Sequence, residues 1–125
     1  MTSLNFIIHE QLKGGKNSMQ VDPRSGRHYP KKAWADWRNR VVADLRFYLN
    51  QIGFKEIITK PCRITVKYWA GDNRRRDIPA LSDSIFHILE RAQIVKDDFQ
   101  FKTMVWGYMG VDKVNARAEI IIEEL

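Results

Sequence analysis

Three consecutive arginines, Arg74, Arg75 and Arg76, stand directly before a carboxylate, Asp77. Asp83 follows within the next apolar stretch, and Asp97 and Asp98 close the segment. Guanidinium groups take phosphate oxygens through forked, charge-assisted hydrogen bonds. Grouped carboxylates hold hard divalent cations through oxygen. A segment with both suggests a site where metal ions and a nucleic-acid backbone meet. Metal-assisted phosphodiester hydrolysis is the reaction that such parts suit.

Each of these residues also has a plainer use. An aspartate at a helix start complements the helix dipole, which is the commoner role for a residue placed like Asp77. Asp83 reads equally as a solvated surface charge, since charged side chains are mostly exposed. Asp97-Asp98 reads as an acidic turn, and the arginine run as a solvated basic tract. His9, His28 and His87 are scattered and show no metal-ligand spacing. Trp34, Trp37 and Trp106 read as core. Trp69, beside the arginines, is kept as a nucleic-acid contact.

The elements that must position these groups follow from periodicity. Residues 4–10 form an apolar first strand. Residues 11–30 hold Gly14, Gly15, Pro23, Gly26 and Pro30, and read as a long loop made basic by Lys13, Lys16, Arg24 and Arg27. Residues 31–52 carry Trp34, Trp37, Val41, Leu45 and Leu49 at helical spacing, with Gly53 as the stop. Residues 61–70 alternate as a strand. Residues 71–76 form a cationic loop, and residues 79–92 a second helix with Pro79 in its first turn. Residues 99–109 and 116–124 are two further strands, expected to pair as a hairpin through residues 110–115. The order β-α-β-α-β-β predicts an α+β fold, a mixed sheet of about four strands with both helices on one face. The other face is then solvated or covered by a second copy.

On the second helix, Leu81, Ile85, Ile88, Leu89 and Ala92 make the core stripe, with Asp83, His87 and Glu90 opposite. Asp77 precedes the helix, and Asp97 and Asp98 follow it. One cluster of all these carboxylates requires the polar start of the helix to face the start of the third strand.

A chain of 125 residues fits one domain with a core of its own. Its net charge of +6 suits a polyanionic partner. The single Cys62 excludes an internal disulfide and a cysteine-rich zinc site, and its apolar setting reads as a core thiol. The sequence has neither a membrane-spanning run nor a leader pattern, so a cytoplasmic protein is expected.

The run from Arg74 through Asp77, Pro79 and Leu81 to Asp97-Asp98 resembles the RusA-type Holliday junction resolvases of phages and prophages. Lys16-Asn17-Ser18, the stretch from Gly26 to Lys31, and Trp37 extend the likeness to the N-terminal half. The resemblance implies the same element order, a Mg²⁺ cofactor (with Mn²⁺ as substitute) and no organic cofactor. It also implies a four-way DNA junction as substrate. Asp77 matches the first family aspartate, Asp98 the essential member of the later pair, and Asp97 its neighbour. Two positions depart: Pro79 stands for the second family aspartate, and Asp83 for the family lysine. Positions 79 and 83 share a helix face about 6 Å apart. Asp83 can therefore supply the missing carboxylate.

The resulting expectation is a site of Asp77, Asp83 and Asp98, with Asp97 beside it, coordinating magnesium. Lys16, Arg27, Arg74, Arg75, Arg76 and Lys96 are the candidate DNA contacts, with Lys96, Lys16 or an arginine replacing the lost lysine. Symmetric cutting of two strands implies a homodimer. The rival readings are an impaired or inactive nucleic-acid-binding module of the same fold, and a protein-interaction factor that keeps only the fold.

Overall fold

Apolar side chains at every second position give the chain a sheet with one buried face. The computed structural model describes residues 3–14, 19–74 and 76–125. Strand β1 (Ser3–Ile8) buries Leu4, Phe6 and Ile8. Strand β4 (Cys62–Ala70) buries Cys62, Ile64, Val66, Tyr68 and Ala70 and turns the residues between them outward. Strand β6 (Arg117–Glu124) buries Ala118, Ile120 and Ile122. Two helices cover this face. Helix α1 (Lys32–Gln51) brings Trp34, Trp37, Val41, Leu45 and Leu49, and helix α2 (Ile78–Arg91) brings Leu81, Ile85, Ile88 and Leu89. The fold is α+β, as expected. Among the described residues no helix is long and apolar enough to cross a membrane.

The helices are tied to each other at two levels. Trp34 Nε1 donates to the buried Ser84 Oγ at 3.2 Å. Arg46 donates to the Ala92 carbonyl at 3.1 Å and to Gln93 Oε1 at 3.0 Å, capping the end of α2. Helix α1 ends at Gly53, whose φ of +75° is the left-handed conformation expected of the stop.

Two expectations about connections are corrected. Residues 11–30 are not all loop, since β2 (Met19–Val21) and β3 (His28–Pro30) pair as a small antiparallel hairpin. The expected hairpin of the last two strands does not form. The sheet order is β1-β6-β4-β5, so β4 lies between β5 (Phe101–Val111) and β6. β5 runs parallel to β4, and β6 antiparallel to it. A strand buried as fully as β4 needs partners on both edges for its backbone groups. Nearness in sequence does not say that these two segments take the two edges separately. The link between them passes the end of β4, where Asp112 N–H donates to the Ala70 carbonyl at 2.7 Å. The Asp112 carboxylate then accepts the N–H groups of Val114 and Asn115 at 3.2 and 3.0 Å.

Candidate nucleic-acid and metal site

The arginine loop is shaped by Asp72. Its carboxylate accepts Arg74 N–H at 2.9 Å and pairs with Arg76 at 2.9 Å and more loosely with Arg74 at 4.0 Å. The Arg74 N–H, and then the Arg76 side chain, hold this carboxyl below its ordinary range. The start of the loop is anchored by Gln11, whose Oε1 accepts Gly71 N–H. The Gln11 carbonyl accepts Trp37 Nε1 at 3.1 Å. The segment after β1 therefore fixes where the arginines stand.

These contacts enclose a cleft of about 510 Å³ at the start of α2. Lys13, Arg40, Arg74 and Arg76 line it, with Asp77 and Glu10. Glu10 is engaged by Arg40 at 2.8 Å. Asp77 is the N-cap residue of α2 and is exposed, and its side chain makes no capping bond. Gly14 packs onto the first turn of α2: a Cβ built there would lie 3.1 Å from Ala80 Cβ. Lys13 and Arg40 come from segments remote in sequence, and only Lys13 showed a signal, as part of the basic loop.

The later aspartates sit at the other end of α2. Asp98–Gln100 is one turn of 3-10 helix, and Asp97 caps it by accepting Phe99 N–H at 2.9 Å. That bond, followed by one with the Asp98 side chain, lowers the Asp97 carboxyl from its usual value. The turn rests on the buried Gln100. Its Oε1 accepts the N–H groups of Lys96 and Asp97, both at 2.9 Å. Its Nε2 donates to the carbonyls of Ile58 and Lys60 at 2.7 and 3.2 Å. Glu90, in the last turn of α2, accepts Asp98 N–H at 2.9 Å. Glu90, Asp97 and Asp98 each offer a carboxylate oxygen, all within 4.8 Å of one another. An exposed, all-oxygen donor set of this size suits Mg²⁺ or Mn²⁺. Glu90 was visible in the sequence only as a member of the polar face shared with Asp83 and His87.

The expected set is therefore divided. Asp97 and Asp98 come together, with Glu90. Asp77 lies at the opposite end of α2, about 20 Å from Glu90 by helical rise. Asp83 is exposed on the Glu90 face, about 10 Å along the axis from it. Asp77, Asp83 and Asp98 do not form one cluster within this chain, because the turn after α2 leads into β5 at the helix's C-terminal end.

Of the expected DNA contacts, Arg74 and Arg76 line the cleft. Lys96 is exposed beside the acidic turn, and Arg27 is exposed in the turn of the β2–β3 hairpin. Lys16 and Arg75 lie outside the described residues. Trp34 and Trp37 are core, as expected. Trp69 carries the Arg117 guanidinium 3.8 Å from its ring centroid. Arg117 is in turn held by Asp112 and Glu119, so this face of Trp69 is already covered. Burial raises the Cys62 thiol above its ordinary pKa, in keeping with a core residue.

Comparison with known proteins adds no identification: no family model matches the sequence, and no curated protein matches it.

Proposed function

We propose that this chain is a metal-dependent, structure-specific endodeoxyribonuclease acting on four-way DNA junctions as a homodimer. The observation that carries the reading is the cleft lined by Lys13, Arg40, Arg74 and Arg76 together with Asp77, whose side chain makes no capping bond. Four cations against two acids, Glu10 and Asp77, suit a phosphate backbone better than a small neutral ligand. The resemblance of residues 74–98 to the RusA-type resolvases supports the same chemistry.

In this reading Arg74 and Arg76 hold phosphates flanking the scissile bond, and Asp72 keeps both guanidinium groups in place. Lys13 and Arg40 extend the same track. Glu90, Asp97 and Asp98 would hold Mg²⁺, with Gln100 fixing the turn that presents them. A bound divalent cation supplies a water of lowered pKa and offsets charge on the scissile phosphate. Because Asp77 and Asp98 occupy opposite ends of α2, the acidic site of this reading is completed between two chains. Asp77 of one then stands with Asp98 of the other.

A binding module without cleavage is the second reading. It is favoured by the separation of the carboxylates within one chain and by Pro79 and Asp83 at the departing positions. The deciding test is incubation of the protein with a synthetic four-way junction and a matched linear duplex, in Mg²⁺ or EDTA. Paired nicks confined to the junction and dependent on metal support the nuclease. Tight junction binding without nicks in either Mg²⁺ or Mn²⁺ leaves the binding module. Equal, weak binding of junction and duplex overturns both.

A further inference from the structure

Charge of one sign collects along the seam where α1 packs against α2, among residues that do not line the cleft. The Arg38 guanidinium lies 5.4 Å from the centroid of the Trp34 ring, and the His87 ring of α2 lies 5.3 Å from the same ring. Arg91 stands one turn beyond His87, in the last turn of α2. Arg46, two turns beyond Arg38 on α1, donates to the Ala92 carbonyl at 3.1 Å, beside Arg91. The seam thus carries Arg38, Arg46 and Arg91.

Among the described residues no carboxylate forms an ion pair with any of the three. Arg38 Nε donates to the neutral side chain of Asn39 at 3.1 Å. Partial burial, and then the like charge of Arg91, lower the pKa of Arg38 from its ordinary value. A cation at the end of α2 complements the helix dipole, which accounts for Arg91. It does not account for Arg38 facing Arg91 with no acid between them, an arrangement that costs stability in the free protein.

We infer that this seam is a second phosphate-binding site, holding the backbone of a DNA strand other than the one in the cleft. The inference rests on the reading of the chain as a binder of branched DNA. Unpaired guanidinium groups take phosphate oxygens through forked hydrogen bonds, and a phosphate relieves their mutual repulsion. His87 and Arg91 lie about 15–20 Å from Asp77 along α2, so one phosphate cannot serve both places. Between them α2 exposes Asp83, which repels a backbone laid along the helix. One strand therefore does not run from the cleft to the seam, and a second strand reaches the seam separately. A junction offers such a strand, because its arms diverge from one point.

Phosphate-ethylation interference on a four-way junction in EDTA tests this with the full chain and without cleavage. Wild type is expected to show two groups of sensitive phosphates, on different strands. The double variant Arg38→Ala/Arg91→Ala should lose one group and keep the other. Its junction affinity should fall about tenfold or more, and its slope of log affinity against log salt by about two. Arg91→Gln checks for a merely structural role: its melting temperature should hold or rise, because a repulsion is removed. A fall of more than about 4 °C in that variant would make the seam arginines structural and overturn the inference. One group of phosphates in wild type, two groups on one strand, or two groups that the double variant leaves intact would also overturn it, with the proposed function still standing. No DNA binding by wild type would overturn both. Titration with inorganic tripolyphosphate separates the other source of phosphate. Tight binding that the double variant abolishes, with the DNA pattern unchanged, would assign the seam to a free polyphosphate and overturn the second strand.

Discussion

Glu90 and Asp98 are joined through the main chain: Glu90 Oε1 takes the Asp98 N–H at 2.9 Å. The bond uses one lone-pair site on Glu90, and a carboxylate oxygen of Glu90 lies within 4.8 Å of carboxylate oxygens of Asp97 and Asp98. The end of α2 thus both fixes the acidic turn and contributes to it.

Glu90→Gln separates those two roles. The amide oxygen still accepts Asp98 N–H, so the melting temperature should stay within about 2 °C of wild type. The lost charge should weaken Mn²⁺ binding by roughly tenfold or more, read by titration calorimetry on the intact protein. Unchanged Mn²⁺ affinity would remove Glu90 from the metal site.

Arg74→Ala and Arg76→Ala should weaken junction binding at every sequence tested. Each should reduce the slope of log affinity against log salt by about one. Arg76 also pairs with Asp72, so its variant should loosen the loop more than Arg74→Ala does. Filter binding across a salt series measures both effects. A slope unaffected by either change would mean that the cleft does not carry the phosphates.

Gln100→Leu should be the most damaging single change near the acidic turn. It strands two backbone N–H groups and two carbonyls that the amide now satisfies. A loss of roughly 2–3 kcal/mol in urea unfolding is expected, since unpaired buried polar groups are costly. A loss below about 0.5 kcal/mol would show that the turn holds without it.

Asp112 gives a pH signature. The N–H groups of Asn115 and Val114, with the Arg117 guanidinium, hold its carboxyl below the ordinary value of 3.8. A group with a lowered folded-state pKa stabilises above its unfolded value, and that stability fades as pH falls through the folded one. Asp112→Ala should therefore lower the urea midpoint at pH 6 and lose less than wild type on going from pH 4.5 to pH 2.5. Parallel curves across that range would contradict the assignment.

The helices and the four long strands were legible because their apolar spacing is strong. Trp34 through Leu49 keep one helical stripe, and β4 alternates cleanly. Strand order was not legible. Periodicity marks which face of β6 meets the core, but says nothing about which edge of β4 each of β5 and β6 takes. The arginine cleft was half legible. The run at residues 74–76 stood out, whereas Lys13 and Arg40 reach the cleft from segments remote in sequence, Arg40 beside its partner Glu10. The carboxylate cluster was misplaced because a helical wheel shows shared faces and not separation along the axis. Glu90 belongs with Asp98 because both lie at one end of α2, and Asp77 lies at the other.

The pairing of β1 with β6 bears on how the chain folds. Ser3 lies opposite Glu123, so this contact closes nearly the whole described chain into one loop. Contacts so distant in sequence are entropically late, and they slow folding. The helices and the β4–β5 pair join nearer neighbours and should assemble first. β1 then docks last, laying Leu4, Phe6 and Ile8 over the core like a closing seam. In pulse-labelling hydrogen exchange its amides should be the slowest of the sheet to gain protection.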